Sequence, residues 1–311
     1  MKILMFGRGV IAAIYGWAFE KAGHSVDFYV RPGRAKEYGA QMRMEIYDLR
    51  KRWTGVKVEE TLPIRLREDL PADHDYDLIV VSVQHYRFAE VVEFLSTRAG
   101  KATILLFNNV LEPAQAAVAS LPAEQVVWGF PMAGGGFGKD GVLRGSLFPK
   151  IVLGSFGMAF SERALNLRSL FEASGFGIDE QRDFQGWLLA HFIVNAGVHS
   201  EVLRAGSMAT MLRSPDHIRA VLSNVRELVP LFTARGVDVS GQAQLGVLRV
   251  PPLIAVLAVR LILWLSPAVR LVLTAHANPD EPRATCRDAL AEARRLGVAV
   301  PRLEASEEFF A

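Results

Sequence analysis

The chain has a single cysteine, Cys286, among its 311 residues. An intramolecular disulfide is therefore excluded, and the count is compatible with a reducing compartment. Charge of one sign is also missing. The 35 Lys and Arg stand against 33 Asp and Glu, for a formal net charge of +2. So small an excess leaves no electrostatic footprint for a nucleic acid, and none is expected as a partner. Unbroken apolar runs of spanning length are lacking too. The greasiest stretch, Val250–Ala275, is interrupted by Arg260 and Arg270 and broken by Pro267, whereas a membrane span needs about 20 apolar residues. Core or dimer-interface helices are expected there. A membrane-surface contact and an apolar pocket for a large substrate are the alternatives.

What is present points to a globular enzyme. Hydrophobic residues make up 50% and charged residues 22% of the chain, which excludes disorder. The length allows two domains, each with its own core. The N-terminus, MKILMFGRGVIAAIYG, is the most informative segment. Lys2–Phe6 reads as an apolar strand running into Gly7-Arg8-Gly9-Val10-Ile11-Ala12, which opens a helix. Strand, tight glycine turn and helix in this order form a dinucleotide-binding arrangement, with alanine in the last place of G-x-G-x-x-G/A. Gly7 allows the turn, Gly9 lets the backbone approach a diphosphate, and Ala12 lets the helix pack near the strand. The N–H groups at Val10 and Ile11 face the anion with the positive end of the helix dipole. This apolar start is read as strand and helix, not as a signal peptide, and a cytoplasmic protein is expected.

The second strand bears on which dinucleotide binds. It reads Ser25–Val30 and ends in Arg31-Pro32-Gly33-Arg34. An acid at its end would accept from a ribose 2′-hydroxyl and repel a 2′-phosphate, whereas Arg31 and Arg34 donate to a phosphate. Asp27 falls too early in the strand to reach the ribose. NADP is expected over NAD.

Beyond this point strands and helices alternate. Asp77–Val83, Ala102–Phe107 and Gln125–Gly129 read as strands, and Phe88–Leu95 and Glu112–Ala119 as helices. The pattern predicts an α/β fold with a Rossmann-type, doubly wound parallel sheet. The glycine cluster Ala133-Gly134-Gly135-Gly136 is expected to be a mobile turn between antiparallel strands. After residue 178 helical periodicity takes over, with helices expected over Trp187–Ala205, Ile218–Ala234 and Pro282–Leu296. The predicted organisation is a nucleotide-binding domain over 1–178 and an all-helical substrate-binding or dimerisation domain over 179–311. A ligand is expected between the second domain and the carboxyl ends of the sheet.

Several stretches, MKILMFGRGVIAAIYG, KAGHSVDFYVR, DLIVVSVQ, TILLFNNV, FIVNAG and RRLGVAVP, occur in an order that resembles the ketopantoate reductase family. The resemblance implies NADPH-dependent reduction of a small 2-oxo acid. It implies cofactor binding by Gly7, Arg8, Gly9, Val10, Ile11, Arg31 and Asn108. Gln84 stands where the family has a lysine and is expected to bind the cofactor as well, since it can hydrogen-bond a ribose or an amide without offering charge; Asn109 stands where the family has a glycine after the asparagine.

The resemblance also implies a proton donor on the FIVNAG helix. The family's lysine, four residues before a helical asparagine, is His191 here, and the asparagine is Asn195. A second family asparagine is replaced by His199. Spacing of four places His191, Asn195 and His199 along one helical face. Carbonyl reduction needs a proton at oxygen as hydride reaches carbon, and a histidine can supply it. Two other readings stand beside this one: hydrogen-bonded packing histidines, and a metal site. The latter has no third strong ligand nearby, and no metal is expected. The family's acid that contacts substrate hydroxyls corresponds to Glu281, which equally suits a helix N-terminus. The family's carboxylate-binding serine is absent from Ala268-Val269-Arg270, where Arg270 offers a guanidinium instead.

The expected function is NADPH-dependent reduction of a 2-oxo acid or related small-molecule carbonyl compound, with a homodimer left open. The alternative is an NADPH-binding sensor or regulatory protein without turnover, suggested by a retained loop beside altered catalytic positions.

Overall fold

The computed structural model describes residues 1–275 and 278–311. The chain divides into two compact units, Met1–Phe184 and Gln185–Ala311. The strands of the first unit are β1 (Lys2–Phe6), β2 (Ser25–Tyr29), β3 (Gln41–Asp48), β4 (Val56–Pro63), β5 (Leu66–Arg67), β6 (Leu78–Val81), β7 (Thr103–Leu106), β8 (Val126–Phe130), β9 (Ala133–Phe137), β10 (Leu143–Leu147), β11 (Lys150–Gly154) and β12 (Gly177–Gln181). The last of these pairs in parallel with β11 and straddles residue 178. That pairing carries the first unit past the boundary drawn from the sequence.

The main sheet has the order β12-β11-β8-β7-β6-β1-β2-β5. The pair β8 and β11 is antiparallel; β1, β2, β6 and β7 run parallel to one another. The order reverses direction around β1, as a doubly wound sheet requires. Strands β1, β6 and β7 read as continuous apolar runs because both of their faces are covered; Ile3, Leu4 and Met5 and all of Leu78–Val81 are fully buried.

The Val10–Lys21 helix returns across the sheet and buries Ala12, Ile14, Tyr15, Trp17 and Phe19. One turn beyond Ala12 it packs tightly at Gly16. A Cβ there would meet Phe28 Cζ at 2.6 Å, so only glycine fits without repacking. Tyr15 is fully buried, stacks on Phe176 at 5.4 Å between centroids and accepts the Met132 N–H at 3.0 Å.

A second sheet, β4-β3-β10-β9, includes the glycine cluster. Ala133–Phe137 is strand β9, antiparallel to β10, and not a turn. Its pairing brings Gly135 opposite Gly145, where a side chain on either would strike the opposing backbone. Glycine is used here for close backbone approach. The helix expected over Glu112–Ala119 shrinks to Ala114–Ala117.

The second unit is helical. The Phe184–Ala205 helix leads into Met208–Arg213 and Pro215–Leu228, which are capped by Ser207 and Ser214. The helix expected over Ile218–Ala234 is split, because Pro230 starts a separate Pro230–Ala234 turn. Asp280–Leu296 ends at Gly297 in the left-handed conformation, φ 67°. Cys286 is buried on this helix, and burial pushes its thiol up to about 12. Of the two expectations for Val250–Ala275, core or dimer-interface helices, the core one is not met. Of the Pro252–Leu265 helix only Ala255 and Val256 are buried.

Candidate functional site

Parallel strands of one sheet end at one edge, so the loops that follow them converge there. The order β7-β6-β1-β2 thus brings together Asn108 after β7, Gln84 after β6, Gly7 and Gly9 after β1, and Arg31 after β2. Gly7 turns with φ +102° and donates its N–H to the Tyr29 carbonyl at 2.9 Å. Gly9 opens the helix with no side-chain cap, and its carbonyl accepts from Ala13 N–H at 2.9 Å. A Cβ at either glycine would meet nothing within 4 Å. The first-turn amides at Val10 and Ile11 have no intrahelical acceptor, and the two glycines before them leave room at the turn. This is an anion cradle in its local geometry.

Asn108 is fully buried. Its amide nitrogen donates to the Val83 carbonyl at 2.7 Å, which ties the β7 loop to the β6 loop. Its Oδ1 has no partner, and neither have the buried Ser82 Oγ and Asn109 Oδ1. Orphaned buried acceptors are costly in a finished fold. Two of the three lie directly after β7 and the third directly after β6, beside the glycine loop's strand. A nucleotide cofactor fits this edge: open space at the glycines, anion-facing amides and unused polar atoms. Gln84 is exposed and free of the core.

Arg31 is exposed. Arg34 is already engaged, bonding Glu37 at 2.9 Å and the Tyr38 hydroxyl at 3.2 Å. Arg8 is half-buried, its guanidinium between the Tyr38 ring at 4.9 Å and the Phe137 ring at 4.8 Å. Burial lowers the pKa of Arg8 from its ordinary value, and its Nε has no hydrogen-bond partner. The aromatic sandwich was not legible from spacing, since it joins residues from three separate elements.

Asp27 is engaged within the first unit. It is 2% exposed and accepts from Arg65 Nε and Arg67 Nε, both at 2.9 Å, and from the Tyr76 hydroxyl at 2.8 Å. Burial alone would raise its pKa, but the bonds from Arg67, Tyr76 and Arg65 outweigh it and hold the carboxyl below its usual range. Its role in the first unit is structural.

In the second unit His191, Asn195 and His199 lie along one face of the Phe184–Ala205 helix, as spacing predicts. Trp187, one turn earlier, stacks on His191 with centroids 5.4 Å apart and planes 7° apart. Gln244 hydrogen-bonds the imidazole and donates to the Trp187 carbonyl at 3.2 Å. Glu281, in the first turn of its helix, lies within electrostatic reach of His191. The structure thus brings together His191 and Glu281, which are ninety positions apart. Trp187 was findable from its spacing of four; Gln244 had no sequence signal. Burial pushes His191 down to about 4, against the upward pull of Glu281 and Gln244. At neutral pH this favours the uncharged imidazole.

Arg270 is exposed and donates to the Leu263 carbonyl at 3.2 Å, which ties it to the neighbouring helix. Among the described residues no group of three or more His, Cys, Asp or Glu is placed to hold a metal.

A mostly parallel sheet with an open glycine turn at its carboxyl edge is a dinucleotide-binding architecture. Residues 3–157 match the family model described as "Ketopantoate reductase PanE/ApbA". Through this N-terminal half the chain belongs to the ketopantoate reductase family, whose members are oxidoreductases acting on CH–OH and C=O groups. Solved structures agree in fold. A PanE/ApbA family ketopantoate reductase from Ralstonia eutropha JMP134 is 18% identical with a TM-score of 0.70, covering 100% of this chain and 97% of that one. D-mandelate dehydrogenase with NADH and anilino(oxo)acetate is 16% identical with a TM-score of 0.72, covering 100% and 97%. A dimeric ketopantoate reductase from Staphylococcus aureus is 14% identical with a TM-score of 0.66, covering 100% and 97%. No curated protein matches the chain by sequence.

Proposed function

We propose that this protein is an NADPH-dependent reductase of a 2-oxo acid or a related carbonyl compound. The observation that carries the reading is the buried, unused Asn108 Oδ1 beside an open glycine turn at the carboxyl edge of the sheet. When bound, the nicotinamide cofactor supplies the hydride. The amides at Val10 and Ile11 and the Gly7–Gly9 turn hold its diphosphate, with Arg8 fixed alongside by its two rings. Arg31 pairs with the 2′-phosphate, because it is exposed while Arg34 is committed to Glu37 and Tyr38. Gln84 and Asn108 offer amide groups to the ribose and the nicotinamide end.

His191 serves the carbonyl oxygen. As a neutral imidazole it polarises that oxygen by donating a hydrogen bond. A 2-oxo acid brings a carboxylate, and its negative charge adds to that of Glu281 in favouring the protonated ring. Substrate binding and protonation of His191 are therefore coupled, and the proton passes from the ring to the alkoxide oxygen as it forms. Trp187 and Gln244 hold the ring's plane, and Asn195 offers a second amide one turn along the same face.

The test is calorimetry with NADPH and NADH. It is followed by absorbance assays of nicotinamide oxidation with a panel of 2-oxo acids, including ketopantoate and an aromatic 2-oxo acid. Turnover on any of them supports the reading. Failure to bind either nucleotide overturns it, and tight binding without turnover replaces it with the sensor alternative.

A further inference from the structure

The Pro252–Leu265 helix presents an apolar face to water. Leu253, Ile254, Leu257, Leu261 and Ile262 are each 50% exposed or more, and Trp264 is 75% exposed. At 100° per residue, these side chains occupy about half the circumference. The opposite side, at Ala255 and Val256, is buried. The arc is far wider than scattered surface leucines need, and so large a patch marks an interaction site.

Its charge is of one sign. From Val239 to Pro279 the sequence contains no Asp or Glu, while Arg249, Arg260 and Arg270 all lie within it. All three are exposed, and none forms an ion pair among the described residues. Arg249 and Arg270 donate to carbonyls, which leaves their charge uncompensated. Arg260 falls on the helix between the apolar arc and the buried side.

No single helix among the described residues is long and apolar enough to cross a membrane. The pair Pro252–Leu265 and Pro267–Ala275 has the combined length and composition, but bends by 102° at the break. A bent, half-apolar helix bordered by arginines and carrying an exposed tryptophan suits the plane of a lipid surface, with its apolar side in the acyl boundary and its cations at the headgroups.

We infer that this face docks on the surface of an anionic phospholipid bilayer. A second copy of the chain fits less well. A two-fold contact sets a patch against itself, which would bring this arginine-bordered segment against the same segment of the second copy, with no acid in either to pair Arg260 and Arg270. The inference rests on the second unit alone and stands apart from the reductase reading.

The experiment is co-sedimentation of the full chain with vesicles of phosphatidylcholine alone and of an equal mixture with phosphatidylglycerol. Pelleting with the anionic vesicles and its loss at high salt are expected. Arg260→Gln and Arg270→Gln are each expected to weaken partition roughly fivefold. A Leu257→Ser, Leu261→Ser, Trp264→Ser variant is expected to stay in the supernatant with an unchanged thermal melt, since these residues are on the surface. The inference is overturned if the wild type fails to pellet with either vesicle, or if the triple variant pellets equally well. It is also overturned if sedimentation velocity shows a wild-type dimer that the triple variant dissolves, for the face is then an interface between copies.

Discussion

The rings of Trp187 and His191 lie nearly parallel, 5.4 Å between centroids, one helical turn apart. The stack presses an apolar surface on the imidazole, and burial lowers its pKa from the ordinary 6.5 to about 4. Because the folded value is the lower one, the unfolded chain binds more protons between those values. The contribution to stability is complete above the unfolded value and is lost as pH falls toward the folded one. Relative to a His191→Gln variant, the wild type is expected to lose about 2 kcal/mol on going from pH ~7 to pH ~5. Urea melts at the two values check this; parallel losses in both proteins would show that His191 is not held neutral.

The same depressed pKa bears on ligand binding. If an anionic 2-oxo acid raises the affinity of His191 for a proton, substrate binding takes up a proton near neutral pH. Calorimetry of the nucleotide-loaded protein in buffers of different ionisation enthalpy reads that uptake directly. Uptake in the wild type and none in His191→Gln is expected. Equal uptake in both would move the proton to another group.

Coenzyme preference separates two neighbouring arginines. Arg31 is exposed, whereas Arg34 holds Glu37 and Tyr38. Arg31→Glu is expected to weaken NADPH by about 10- to 100-fold, the worth of one charge-assisted hydrogen bond, with little change for NADH. Arg34→Ala is expected to change the ratio of the two affinities by less than about threefold. Equal losses of NADPH and NADH on Arg31→Glu would remove the 2′-phosphate assignment.

Asp27 gives the converse. It is the acid of the second strand, yet Arg65, Arg67 and Tyr76 occupy it. Asp27→Asn is expected to cost about 1–3 kcal/mol in a urea melt and to leave the ratio of NADPH to NADH affinity unchanged. A changed ratio would place Asp27 at the ribose after all.

The first unit was legible where local chemistry and tertiary use agree. Strand β1, the Gly7 turn and the apolar helix satisfy periodicity, turn geometry and packing at once; the buried strand before Asn108 was equally plain, but a role for Asn108 came only from the family resemblance. The misses have physical causes. Gly134–Gly136 reads as a turn by propensity, but the backbone of β10 lies too close for any side chain, so tertiary approach overrode propensity. The core half of the reading of Val250–Ala275 as core or dimer-interface helices missed because hydrophobicity alone does not say which side of a helix meets protein. At His191, chain spacing revealed the shared face with Asn195, but not Gln244 or the burial that keeps the ring neutral. Those depend on a segment more than fifty positions away.

The unused oxygens at the sheet edge lead to a paired test. Ser82 Oγ and Asn108 Oδ1 are both buried without partners, but only Asn108 also does structural work, through the Val83 carbonyl. Removing an unsatisfied hydroxyl relieves a desolvation cost, so Ser82→Ala is expected to be neutral or to stabilise the protein by about 1 kcal/mol. Asn108→Ala removes one orphan but creates another at Val83, so the two effects offset and stability is expected to change by less than about 1 kcal/mol. Nucleotide affinity responds differently. If Asn108 Oδ1 is unused because it awaits a donor on the cofactor, its loss removes a bond made only in the complex, and NADPH affinity is expected to fall about tenfold. Thermal melts with and without NADPH read both quantities on the same samples. An Asn108→Ala protein that melts like the wild type and is stabilised equally by NADPH would show that the oxygen is an idle feature of the fold, and the candidate site would lose its central residue.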